Sequence, residues 1–222
     1  MSGTKAAGAR SRGTQRRGGA RVRAEIDPAE RLVSAATQLF NARGIHATGI
    51  DGILAEAGVA RMTLYKHFGS KDGLIREVLT RESRAWFERL SADMPASGSA
   101  VERLEGYFNV LAAWFAEPDF KGCAFINAVG EAEIDDVCVR PIARAHRAAN
   151  VDVLRAIVTQ AGGADSDGVA ETLMMIADGC TVGAMVTGDG GLVARARALA
   201  VTVLRGACSI PERADDPIAG RP

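Results

Sequence analysis

Arg61, Met62, Thr63, Tyr65, Lys66 and His67 fall within seven consecutive positions, with Thr48 upstream and Lys71 just beyond. Guanidinium, ammonium, hydroxyl and imidazole groups at this density offer donors and positive charge to a polyanion. Met62 differs, since a thioether offers only apolar contact, for example to a thymine methyl. This is the chemistry of recognition rather than of catalysis. The chain has three histidines, His46, His67 and His146, and two of them lie in or beside this run. Neither HExxH nor GxSxG occurs, and no metal set or cofactor motif is visible, so an enzyme is not expected. Cys123, Cys138, Cys180 and Cys208 include no Cys-x-x-Cys pair, which argues against a zinc site or a disulfide framework. Such usage suits a reducing cytoplasm.

Two short helical patterns must position these groups, and they meet at Gly58-Val59, a break tight enough for a helix-turn-helix corner. In the first, Ile50, Ile53, Leu54 and Ala57 stand at i, i+3, i+4 and i+7 and form one apolar face. Thr48 three positions before Asp51 predicts a capping box at its start. Gly58 ends it by taking the left-handed conformation. Val59 and Leu64 are expected to bury in the angle between the helices, with Phe68 closing the far end. The polar groups of residues 61–67 then face solvent or a duplex. Ser70 reads as the N-cap of the next helix, with Lys71 and Asp72 in its first turn, a natural phosphate seat. Upstream, Pro28 to Arg43 carries an apolar stripe of Leu32, Ala35, Ala36, Leu39 and Phe40, and Gly44 ends it.

The run GVARMTLYKHFGSKDGL resembles the signature of the TetR family of one-component regulators, with its Gly-Val turn, Thr-Leu-Tyr core, His-Phe pair and Ser-Lys-Asp-x-Leu. The resemblance covers about Glu30 to Leu79, and several coupled spacings carry it. Leu54, Ala60 and Met62 depart from the family pattern. Ala60 stands where a serine commonly caps the recognition helix, a loss of about 1 kcal/mol. The resemblance implies an all-α protein. An N-terminal three-helix helix-turn-helix domain (25–92, with the motif at 49–68) would precede a larger helical ligand-binding and dimerisation domain (93–210). It also implies a homodimer on double-stranded operator DNA, acting as a repressor released by a small molecule. The DNA-contacting set is then Thr48, Arg61, Met62, Thr63, Tyr65, Lys66, His67 and Lys71. Tyr65, Lys66 and Lys71 would hold the backbone, and Arg61 to Thr63 would read bases. His67 either contacts phosphate or packs beside Phe68.

Net charge is zero, but its distribution is uneven. Residues 1–24 hold seven basic and no acidic residues, 25–90 balance nine against nine, and 91–222 hold eleven against eighteen. The Gly-, Ala-, Ser- and Arg-rich arm, 1–24, is expected to be disordered alone. It either tracks phosphates or a minor groove, or is a solubilising tail. The 211–222 tail is expected to be flexible.

Beyond the reader the pattern stays helical. Expected helices cover Ser70 to Ala92, Val101 to Glu117, Asp135 to Ala161, Ser166 to Val186 and Gly191 to Cys208. Pro141 fits near the start of the third or marks a kink. The motif Lys121 to Glu131, GCAFINA at its heart, resembles one found in a subset of TetR-type ligand domains. Tyr107, Trp114, Phe115, Phe125, Met174 and Met175 concentrate bulky apolar groups suited to a cavity, with Cys123 and Asn127 as polar contacts. On the family's pattern this points to a hydrophobic or aromatic effector. A redox-sensing regulator using Cys123 or Cys138 is the alternative. Leu173, Ala177, Thr181 and Ala184, with Gly179 and Gly183, give a small-residue surface, and Leu192, Leu199, Val203 and Ala207 an apolar stripe on the partner helix. Two copies of this pair are expected to build an intersubunit four-helix bundle, as the family does. The same pattern also serves an intramolecular core. No run is expected to reach membrane-spanning length, so a membrane partner is not anticipated.

Overall fold

The computed structural model describes residues 27–208. The basic arm 1–24 and the tail 211–222 lie outside the described residues. Among these residues the fold is all-helical, as expected. The helices are α1 (Pro28–Arg43), α2 (Ile50–Ala57), α3 (Arg61–Phe68), α4 (Lys71–Asp93), α5 (Ala100–Phe115), α6 (Ala124–Glu131), α7 (Val139–Gln160), α8 (Ser166–Thr187) and α9 (Leu192–Cys208).

Local chemistry sets most boundaries. Asp27 caps α1, with Pro28 in its first turn, and Ser70 accepts from the Gly73 amide at the start of α4. Ser99 and Glu102 form a reciprocal capping box on α5. Gly58 ends α2 at φ 62°, in the left-handed region. Pro141 sits at the third position of α7, where no intrahelical donor is lost.

Two apolar cores share α4 between them. The first gathers α1, α2, Leu64 of α3 and Leu74, Ile75, Val78 and Leu79 of α4. It also takes in Phe125 and Ala128 of α6, Cys138, and Val139 of α7. The second is built from Leu90 with α5, α7, α8 and α9. So α6 and the start of α7, distant in sequence from the reader, help to seal its core.

The α8 expectation is corrected in two ways. The helix spans 22 residues and is apolar enough for a membrane span by length and composition. It packs instead as a core helix against α7 and α9, and its Asp178 pairs with Arg147. In addition, Leu173, Ala177, Thr181 and Ala184 are at most 5% exposed and face their own subunit's core. The outward stripe is Met175, Gly179, Val182 and Val186, at i, i+4, i+7 and i+11. A helix apolar nearly all round carries two apolar faces, and periodicity does not say which one turns inward.

Candidate functional site

α3 is anchored by Leu64, with Phe68 packed against the same core. Leu64 is fully buried, Thr63 and Phe68 are half-buried, and Arg61, Met62, Tyr65, Lys66 and His67 are exposed. Met62 is 75% exposed, so its apolar chain has no packing role inside the subunit. Arg61 pairs with Asp51 of α2 across the corner, and Tyr65 follows one turn on. His67 lies tilted at 6.2 Å from the Phe68 ring yet stays exposed.

Two expected contacts turn inward. Thr48 does not cap α2: Gly49 takes that position without a side-chain bond, and Thr48 is 3% exposed. Its hydroxyl donates to the Gly44 carbonyl at 2.7 Å, at the open end of α1. A carbonyl left unpaired by the helix terminus is the better partner for a buried hydroxyl. The Lys71 ammonium donates to the Ile45 carbonyl at 2.7 Å and ties α4 to the same loop. Thr48 thus holds the loop between α1 and α2, and Lys71 joins that loop to α4.

Arg31 and Glu131 do related work that no local pattern signals. Arg31 donates from Nε to Ala57 O at 2.8 Å and from Nη2 to Gly58 O at 2.6 Å, capping the carbonyl end of α2. Glu131, the last residue of α6, accepts the His46 amide at 2.8 Å. Their partners lie 26 to 85 residues away in sequence.

A cavity of about 130 Å³ opens between α4, α5, α6, α7 and α8. Five of the eight expected residues line it: Tyr107, Trp114, Cys123, Phe125 and Met174. The other three do not. Phe115 packs at 5.1 Å on Phe120, the exposed Asn127 donates to Lys121 O, and Met175 is 59% exposed. Phe115 and Met175 directly follow lining residues, and one step along a helix turns a side chain by about 100°.

The cavity's polar wall was not foreseen. Asn150, 2% exposed, accepts Trp86 Nε1–H at 2.7 Å and the Tyr107 hydroxyl at 3.1 Å through one oxygen. Two donors on that oxygen identify it, so Nδ2 is the donor to His146 O at 3.0 Å, with His146 Nε2 at 3.3 Å. Nε2 therefore accepts, and Nδ1 carries the proton that it donates to Ser83 Oγ at 2.9 Å. The ring stacks on Phe125 at 3.8 Å, and burial pushes its pKa down to about 4.

The linkage has a definite sign. From the unfolded value near 6.5 down to about 4, the unfolded chain binds a proton that the folded one refuses. Stability from this ring is complete above that window and falls as pH drops through it, by up to about 3 kcal/mol. Urea unfolding should show about 2 kcal/mol more loss between pH 7 and 5 for the parent than for His146→Gln. That comparison isolates the ring from Glu82 and Asp178. Burial raises both carboxyl pKa values, which gives the opposite slope.

A helix-turn-helix unit with an exposed, basic second helix, joined to a helical body that encloses a cavity, defines a ligand-domain regulator fold. The profile of the bacterial regulatory proteins, tetR family, matches residues 32–78. A TetR-family transcriptional regulator from Streptomyces coelicolor, SCO4454, superimposes with a TM-score of 0.75 at 34% identity, over 85% of this chain and 94% of that one. The chain belongs to the TetR family. The repressor KstR2 of Mycolicibacterium smegmatis is 36% identical over 80 residues, 36% of this chain and 38% of the relative. The activator FasR of the same organism is 48% identical over 50 residues, 22% of this chain and 23% of the relative. The chain spans about half the length, or less, of the curated relatives it matches. These relatives are regulators of transcription, and that is what speaks against an enzyme.

Proposed function

We propose that this chain is a homodimeric repressor that binds palindromic operator DNA through α3 and is released by a small molecule in the α4–α8 cavity. The observation that carries the reading is the surface of α3, where one buried leucine leaves five polar, basic or apolar side chains exposed at the corner. Lys66 and Tyr65 hold the backbone, Arg61 and Met62 reach base edges with Thr63 at the margin, and His67 adds either role. Lys71 and Thr48 act indirectly, by setting the corner. Residues 25–92 form the reader and 93–210 the effector and dimer body. The basic arm adds salt-dependent affinity. An operator partner places the protein in the cytoplasm.

Two copies meet through α8 and α9. Met175, Val182 and Val186 with Leu199 leave an apolar surface of the kind an isologous interface covers. The effector is hydrophobic or aromatic, as the ring-rich lining suggests. The GCAFINA motif marks the subgroup, and its helix joins the two sites. Phe125 borders the cavity at one end of α6, and Glu131 holds the His46 amide at the other. A ligand that displaces this short helix moves the loop before α2, and the two readers lose the spacing of successive major-groove half-sites. The redox alternative draws no support from the thiols, because burial raises the pKa of both Cys123 and Cys138.

Selection from random-sequence duplexes with the full chain tests the reading. Two inverted half-sites, about 10 base pairs apart or a multiple of that, are expected. Recovery of no common sequence at moderate salt would count against it.

A further inference from the structure

The polar groups around the cavity are unevenly matched. Its donors are already engaged: Trp86 Nε1–H and the Tyr107 hydroxyl on Asn150, and the Thr181 hydroxyl on Ala177 O. Both His146 nitrogens have partners, and the ring is neutral at physiological pH. Arg89, also on the lining, is held by Glu117 at 2.7 Å. What remains open is acceptor capacity and negative charge. Among the described residues Glu82 makes neither an ion pair nor a hydrogen bond, although it lines the cavity and is partly withdrawn from water. Asp178 shares Arg147 with Glu171, at 3.4 and 2.9 Å. Of the charged side chains that line the cavity, Glu82 and Asp178 stand against one guanidinium, Arg89, and Arg89 is itself paired with Glu117 outside the lining. That field reaches the wall: beyond burial, Asp178 helps to hold the Tyr107 and Cys123 protons, and Glu82 that of Cys123.

A carboxylate withdrawn from water without a counter-ion disfavours its own charged form, and a bound cation offsets that cost. Trp86, Trp114, Tyr107 and Phe125 border the same space, and indole faces attract ammonium groups. The volume is close to the roughly 150 Å³ of an apolar cavity that holds benzene. We propose that the cavity selects a protonated arylalkylamine, one aromatic ring bearing an ammonium group, with Glu82 as its counter-ion. The proposal rests on the reading of this cavity as the effector site.

The chain's two tryptophans, Trp86 and Trp114, both line the cavity, so their emission reports its occupancy directly. The full chain is titrated at pH 7 with three near-isosteres: 2-phenylethylamine, 2-phenylethanol and 3-phenylpropanoate. The amine is expected to bind at least about tenfold tighter than the alcohol, and the carboxylate weakest. Glu82→Gln should bring amine and alcohol within about threefold while leaving the alcohol's affinity unchanged. Asp178→Asn, expected to weaken the amine preference in the same direction, serves if Glu82→Gln does not fold. An alcohol or carboxylate that binds as tightly as the amine overturns the charge assignment and leaves the effector-site reading standing. No emission change with any of the three, up to about 10 mM, overturns both. An unaltered amine preference in folded Glu82→Gln removes Glu82 from the proposal and overturns it.

Discussion

Replacing Asn150 by alanine is expected to lower the unfolding free energy by about 2–5 kcal/mol. Its single amide oxygen satisfies two buried donors, the Trp86 indole N–H at 2.7 Å and the Tyr107 hydroxyl at 3.1 Å. Tyr107 is 1% and Asn150 2% exposed, so both groups are withdrawn from bulk water. Each buried donor left without a partner costs about 1–3 kcal/mol, far more than the net value of the bond itself. The amide also supports His146 from its Nδ2 side. Urea unfolding followed by circular dichroism at pH 7 measures the loss. A change below about 1 kcal/mol would mean that the two donors find other partners. Because α4, α5 and α7 each supply one member, the variant should also loosen the cavity wall and red-shift tryptophan emission.

Arg61→Ala and Lys66→Ala are expected to fail differently on DNA. Lys66 is exposed on α3 without an ion pair among the described residues, as befits a phosphate contact. Its removal should weaken operator and random DNA alike and lower the salt slope by about 1. In the proposed reading Arg61 exchanges its Asp51 partner for a base edge. Its loss should cost about 1–3 kcal/mol on the operator and little on random duplex, narrowing the ratio between them. The variant also frees the Asp51 carboxylate at the interface, so Arg61→Ala/Asp51→Ala separates lost readout from added repulsion. Binding isotherms at several salt concentrations decide the matter. Equal losses on operator and random DNA would make Arg61 another backbone contact.

Much of the architecture was readable from the chain. The cap at Ser70, the left-handed Gly58 and the apolar stripe of α1 are local features, each written within a few residues. Helix limits derived from them agree with the structure to within about four residues. The reader's inner face was legible for the same reason, since Ile53, Leu54 and Leu64 announce it by spacing. The cavity was half legible. Its rings stand out as residue types, but Phe115 and Met175 show that type without rotation names the wrong neighbour. Glu82, His146 and Asn150 gave no signal, because a polar residue on a long helix is ordinarily a solvated one.

The amino-acid sequence by itself determined that this is an all-helical chain with a helix-turn-helix near its start, and which groups α3 offers outward. Those outcomes depend on contacts one to four residues apart, which periodicity and capping chemistry record. Only the tertiary structure decided the rest. It turned Thr48 and Lys71 onto the carbonyls after α1, chose which apolar face of α8 to bury, and gathered α6 under the reader. It also placed Glu82 on an aromatic cavity with no ion pair of its own among the described residues. Each of these depends on how two helices cross, and a crossing is set by both partners' surfaces together. One helix's own sequence carries only half of that information.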